Sequence, residues 1–317
     1  DISVKAINDS GPLLSQPLEP LSSLGESKDE VMSEERSYYE IKNENLSLYL
    51  DPVTGRFELS QLNKISKTKD SQEPFVVLGP TYDEGLNREN IYFANSGFYT
   101  RSQGYLNPEF SKISQERMDD GGTVYTLEGS SKGMSFIRKI DIPVTGYKII
   151  VEDVVRSSID EQVSVTPYVV IERDGSVVEE GGLMYTYLGP VFSSTKDTYE
   201  KYDFDDIRDS SYQNKSVGGW VALIQHYFLS AWIPDQNEEY LYQGRYGDKS
   251  GRYSLGYTSR DFLISYGESA ATKNTLYVGP KLPKQLAEIE ENLDLTVDYG
   301  FLWWLGKPMY WLLDLGH

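Results

Sequence analysis

The chain contains no cysteine, which excludes disulfides, thiolate nucleophiles and cysteine-type zinc or iron–sulfur sites together. Histidine is nearly absent as well. Of two residues, His317 is terminal, so His226 is the sole internal imidazole open to acid–base work. A Ser-His-Asp triad would have to use it, and no G-x-S-x-G elbow accompanies it, so nucleophilic hydrolysis has no support. Neither G-x-x-x-x-G-K-S/T nor G-x-G-x-x-G following a strand occurs, and nothing argues for a phosphate or dinucleotide cradle. Basic residues are scarce beside acidic ones, 30 Lys plus Arg against 49 Asp plus Glu. The resulting formal charge of −19 removes the long-range attraction to phosphates that nucleic-acid partners require. No cofactor and no metal is called for.

Long apolar runs are also missing, with one exception. Asp298 to Gly316 (DYGFLWWLGKPMYWLLDLG) holds three of the five tryptophans and only two charges beyond Asp298, Lys307 and Asp314. On a helix, Phe301, Leu302, Trp304, Leu305, Met309, Trp311, Leu312 and Leu315 cover a wider face than a globular surface helix usually shows, with Trp303 beside them. The run is shorter than the roughly 20 residues a span needs, and Trp and Tyr settle at headgroup level. It therefore reads as a helix lying at a membrane surface, kinked or divided at Gly306-Lys307-Pro308. The bland alternative is a terminal helix packed on its own domain. Asp1 stands without a Met or a basic-plus-apolar leader, and the aromatic run stops abruptly at Gly316-His317. Both lead us to expect a piece of a longer, membrane-anchored protein.

Residues 1–36 are rich in Ser, Pro and Glu without periodicity and read as a flexible linker. From there to about residue 280, short β-branched and aromatic runs alternate with Gly, Asp, Asn and Pro. Leu46–Leu50 and Arg56–Leu62 flank a hairpin signal at Asp51-Pro52-Val53-Thr54-Gly55. Further strands are expected over Phe75–Leu78, Thr123–Leu127, Met134–Ile140, Tyr147–Arg156, Val163–Ile171, Trp220–Phe228, Leu229–Ile233, Tyr240–Arg245, Ser254–Tyr257, Phe262–Tyr266 and Thr275–Val278. So many antiparallel segments require two stacked sheets, each burying the other's apolar face; the fold class is all-β, a large two-sheet sandwich. Helix is expected only in 281–317, where Pro283 opens a segment with Leu286, Ile289 and Leu293 on one stripe that should dock on the sandwich.

Asp203-Phe204-Asp205-Asp206-Ile207-Arg208-Asp209 could ligate calcium, but it lacks the Gly and distal Glu of an EF-hand and reads as a solvated acidic turn. His226, within an apparent strand, reads as structural or solvent-facing. Carboxylate pairs suited to glycoside hydrolysis have no sequence signature among 49 acids, and 25 tyrosines fit both a sugar- or peptide-stacking groove and ordinary strand use.

Gly218-Gly219-Trp220-Val221-Ala222, His226-Tyr227-Phe228 and Ala231-Trp232-Ile233-Pro234 resemble the strand block of the YidC insertase periplasmic domain. Leu276-Tyr277-Val278-Gly279-Pro280-Lys281 and Leu293 to Trp303, with Asp298-Tyr299-Gly300, continue the likeness, and Lys201-Tyr202-Asp203-Phe204 has a counterpart. The matching motifs cover roughly Glu200 to Leu313. The resemblance implies a galactose mutarotase-like β-supersandwich with C-terminal helices, set between two membrane spans and facing the periplasm from the inner membrane. In that family, insertion belongs to a bundle of membrane helices with an Arg-containing groove, none of which this chain holds. By that likeness the domain is no enzyme but an interaction and positioning module. Its implied partners are nascent inner-membrane proteins, SecD–SecF, the SecY-SecE-SecG translocon and, through the C-terminal helix, the membrane surface. A second reading is a carbohydrate- or peptide-binding sandwich with a groove ligand. Mutarotase-type catalysis resembles His-plus-carboxylate chemistry, for which one internal His is poor equipment.

Overall fold

The computed structural model describes residues 38–67, 71–79, 82–83, 88–89, 91–174 and 188–297. The first half carries β1 (Tyr39–Lys42), β2 (Leu46–Leu50), β3 (Phe57–Ser66), β4 (Pro74–Val76), β5 (Tyr82–Asp83), β6 (Arg88–Glu89), β7 (Tyr92–Thr100), β8 (Gly104–Leu106), β9 (Glu109–Arg117), β10 (Thr123–Ser131) and β11 (Met134–Ile142). The second carries β12 (Lys148–Ser157), β13 (Val163–Asp174), β14 (Gly189–Ser193), β15 (Glu200–Lys201), β16 (Tyr212–Val217), β17 (Trp220–Ile224), β18 (Phe228–Ile233), β19 (Glu239–Gly247), β20 (Arg252–Thr258), β21 (Phe262–Ile264) and β22 (Ser269–Pro280). Among the described residues helices are few: α1 (Phe204–Asp209), α2 (Pro283–Ile289) and a 3-10 turn at Leu293–Thr296.

The strands form two large antiparallel sheets and one small hairpin, β5–β6. One large sheet runs β1-β2-β3-β7-β13-β20-β19-β16, with β4, β8 and β21 attached beside it; the other runs β15-β14-β17-β18-β22-β12-β11-β10-β9. Their facing sides share one apolar core that includes Phe57, Phe98, Leu127, Ile140, Val151, Ile171, Trp232 and Tyr257. The two-sheet all-β sandwich expected from strand spacing is the observed fold.

Local chemistry explains the clearest elements. At the β2–β3 hairpin, Asp51 Oδ1 accepts from the Val53 and Thr54 amides at 2.9 and 2.6 Å, fixing the turn through bonds local to it. In β11 the pattern buried-exposed repeats through all nine residues, as one wet face demands. One inward position of β11 is charged. Arg138 lies opposite Asp153 of β12, and its Nε donates to Asp153 Oδ1 at 2.7 Å. The guanidinium also reaches Gly55 O and Ser96 O of the other sheet at 2.8 and 2.5 Å, while Ser96 Oγ donates to Asp153. With Arg138 2% and Asp153 4% exposed, each charge has desolvation offset by several partners at once.

Several elements differ from their sequence patterns. The strand expected over Trp220–Phe228 is interrupted by a turn at residues 225–227, which places His226 in a hairpin tip with its ring 3.9 Å from that of Tyr227. The acidic run is not a loop but α1: the Asp203 amide donates to Asp206 Oδ2 at 3.0 Å, and Arg208 pairs with Asp205 at 2.9 Å, so its carboxylates cap and brace a helix. The C-terminal helix ends at Ile289 rather than Leu293, because Glu290 is extended at φ −158° and ψ 148°; the chain then restarts as a 3-10 turn after Asn292, left-handed at φ 66°.

Candidate functional site

Most of the described residues that carried the family resemblance lie on or beside β17, β18 and β22, neighbours in the nine-stranded sheet, while Lys201-Tyr202-Asp203-Phe204 lies apart, on β15 and at the start of α1. Strand alternation and register divide the side chains of those three strands. Trp232 Nε1 donates to Val170 O of the opposite sheet at 3.1 Å, and Ser230 Oγ meets Tyr92 Oη at 2.5 Å, so these two face the core. Val221 and Leu223, their cross-strand partners, do likewise. Trp220, Ala222, Ile224, Leu229, Ala231 and Ile233 therefore face outward, yet none exceeds 3% exposure. That face has a cover.

The C-terminal helical segment lies there. Pro283 starts α2 just beyond β22, and Trp220 Nε1 donates back to Glu291 O at 3.4 Å. Leu286 and Leu293 are fully buried in the common core cluster, with Ile289 and Val297 packed against it. Thr296 Oγ1 donates to Leu293 O at 2.7 Å and closes the 3-10 turn. The seat is thus aliphatic, indole and backbone in character. Glu290 is the titratable group there with a displaced pKa, raised above the usual carboxylate range chiefly by burial.

Glycine positions set how closely the seat is built. Gly219, at φ 91°, lies on the crossover from β16 to β17, and a Cβ there would sit 2.2 Å from Ser193 O. Its preceding neighbour Gly218 gives its carbonyl to the Tyr242 hydroxyl at 2.7 Å. Gly279 lets β22 pass under Tyr147, whose ring carbon would be 2.5 Å from an added Cβ. Beyond it, Pro280 O accepts from Tyr277 Oη at 2.5 Å and the Lys281 amide donates to Tyr227 O at 2.8 Å, aiming the chain into α2. Gln236 escaped the sequence reading. Its amide accepts from Gly219 N at 2.7 Å and donates to Gly219 O and Pro234 O at 3.1 and 2.9 Å, clamping the crossover. An unremarkable Gln in a loop carries no sequence signal for that role.

Of the remaining sequence candidates, Asp298, Tyr299 and Gly300 and the aromatic run Phe301, Leu302, Trp303, Trp304, Leu305, Met309, Trp311 and Leu312 lie outside the described residues. The described chain ends at Val297, directly after the seat. Among the described residues no helix is long and apolar enough to cross a membrane. A separate open cleft of about 680 Å³ lies beside β15, α1 and β16, lined by Glu200, Tyr202, Asp206 and Tyr212 among others. It is polar, and the Tyr212 hydroxyl donates to Glu200 at 2.8 Å.

A family model described as the YidC periplasmic domain matches residues 38–312. The chain belongs to the YidC periplasmic domain family. The match extends the likeness seen from Glu200 onward back through the first half of the sandwich. The chain is 32% identical over 278 residues to the membrane protein insertase YidC of Shewanella halifaxensis, covering 86% of this chain and 50% of that protein. It is 31% identical over 286 residues to the insertase YidC of Haemophilus influenzae (strain KW20 / Rd), again 86% and 50%. The chain thus spans about half the length of the curated relatives it matches. In fold, it is similar to a GH36 α-galactosidase from Geobacillus stearothermophilus, with a TM-score of 0.55 at 7% identity over 80% of this chain and 42% of that one. A galactose mutarotase related enzyme from Lactobacillus acidophilus aligns with a TM-score of 0.47 at 8% identity, over 76% of this chain and 97% of that one.

Proposed function

We propose that this YidC periplasmic domain is the non-enzymatic interaction and positioning module of a membrane protein insertase, helping inner-membrane proteins to insert, fold and assemble, alone or with the Sec translocon. The carrying observation is that the family-typical residues Gly218, Gly219, Trp220, Gly279 and Pro280 build a seat for the last helical elements. The sandwich packs against the chain as far as Val297, directly before the aromatic run. On this reading the module faces the periplasm from a multi-pass inner-membrane protein. Its C-terminal aromatic residues Phe301, Leu302, Trp303, Trp304, Leu305, Met309, Trp311 and Leu312 rest at the membrane surface, where interfacial Trp is favoured. Its partners are nascent inner-membrane proteins and the SecD–SecF and SecY-SecE-SecG assemblies.

Three experiments test the proposal. Cross-linking of the purified chain to Sec components should capture SecD–SecF, and disrupting the seat in the whole insertase with Trp220→Ala should impair membrane-protein assembly. No capture combined with normal assembly overturns the module reading. For the membrane contact, Trp303, Trp304 and Trp311→Ser together should abolish liposome association while leaving sandwich unfolding unchanged. Loss of sandwich stability instead would mean that the aromatic run packs on its own domain.

A further inference from the structure

The nine-stranded sheet ends at β9, a nine-residue edge strand whose residues are nearly all exposed. One end of this edge is stopped by a hydrogen bond and the other by the turn into β10. The Phe110 amide is taken by Val53 O at 2.8 Å, and Met118 enters the hairpin turn, donating to Gly122 O at 2.8 Å and accepting from the Gly121 amide at 2.9 Å. Between the stops lies an open run, Ser111 to Arg117, centred on Ser114. Because Met118 is a hydrogen-bonded position of the β9–β10 pair and antiparallel pairs alternate, Lys112, Ser114 and Glu116 direct their backbone groups to β10. Ile113, Gln115 and Arg117 direct theirs outward.

We propose that β9 is a self-complementary edge through which two copies of this chain pair antiparallel about a two-fold axis at Ser114. The register that uses the whole open run places Ile113 opposite Gln115 of the second copy, and both are positions with outward backbone groups. The same register sets Lys112 opposite Glu116 twice, on the solvent face, and Ser114 opposite itself. Edge strands are ordinarily blunted by charge, and Lys112, Glu116 and Arg117 would repel many foreign strands. Lys112 already meets Glu128 of β10 at 2.8 Å within its own chain; in a two-fold pair it would lie between Glu128 and the second copy's Glu116, and the strand, with Glu109, Lys112, Glu116 and Arg117, is locally neutral on a chain of −19. Ile113, partly buried against the core, continues the inner face of the sheet into the second copy.

The absence of native cysteine makes a direct test available. Ser114 occupies a non-hydrogen-bonded position in the proposed pair, where opposed Cα atoms approach to about 4.5 Å, within disulfide reach. Ser114→Cys in the full chain should oxidise to a covalent dimer about tenfold faster than Thr126→Cys, which lies one strand in from the edge. Sedimentation of the unmodified chain should show concentration-dependent dimers. Glu116→Lys should weaken them about tenfold, and adding Lys112→Glu together with Glu128→Lys, which keeps the intrachain pair of positions 112 and 128 with its signs exchanged, should restore them. Equal oxidation rates at positions 114 and 126, a chain that stays monomeric at high micromolar concentration, or a dimer indifferent to the charge reversal overturns the proposal. Capture of an extended peptide along β9 by a chain that does not self-associate overturns it as well.

Discussion

The two ends of the nine-stranded sheet are built by different rules. At the β9–β12 end the outer face meets water, and β11 reads buried-exposed in strict alternation. At the β17–β18 end every residue of both strands is buried, and the chain between α2 and the 3-10 turn reaches the outer face at Trp220. A one-sided strand needs apolar residues at every second position, whereas a two-sided one needs them throughout. The comparison shows where in this sandwich another element must dock, and in this chain that element leads to the aromatic C-terminal run.

Alkali should strike hardest, through buried phenols in both sheets. Tyr92, bonded to Ser230 of β18, is pushed up to about 12 by burial, and Tyr277 of β22 is raised beyond that for the same reason. Both are raised above an unfolded value of 10.0, so the native state keeps protons that the unfolded chain releases. Their contribution is complete below about pH 10 and falls as the pH climbs toward 12 and beyond. Denaturant midpoints measured in steps across that range should drop together with phenolate absorbance; a midpoint that stays level through pH 12 would contradict the burial of these phenols.

Trp220→Ala should cost about 3–5 kcal/mol in equilibrium unfolding, since it empties the seat between β17 and Glu291. A loss below about 1 kcal/mol would mean that the helical segment covers little there. Gly279→Ala should cost about 1–3 kcal/mol by driving a methyl into Tyr147, and pairing it with Tyr147→Ala should recover part of the loss, as a double-mutant cycle would reveal. The smallest change belongs to the bare end. Ile137→Thr, on the water-facing side of β11 at 38% exposure, should move stability by no more than about 0.5 kcal/mol. A cost equal to that of Trp220→Ala would erase the distinction between the two ends.

Legibility followed the range of the interactions involved. The Asp51–Gly55 hairpin was readable because its hydrogen bonds join residues two and three apart. β7 was not, since Asn95-Ser96-Gly97 reads as a loop; its polar groups are satisfied in the strand by Arg138 and Asp153, more than forty residues away. β9 and β16 were missed because edge strands with few buried positions carry little apolar signal. The seat was legible as a set of motifs but not as a place, for the motifs lie on three strands and a crossover that only the sheet order brings together.

By itself the sequence determined the class of fold, through many short apolar runs too close together for helices between them, and the family, through the order of its Gly and Trp motifs. It also contains no cysteine and no Gly-rich phosphate motif, so no residues in it argue for thiol or P-loop chemistry. Only the tertiary structure decided which apolar faces oppose each other, that Trp220 faces outward beneath α2 while Trp232 faces inward, and that β9 is left at an edge. Those outcomes depend on strand order and register, and a residue's face and partners are set by chain neighbours that no local pattern records.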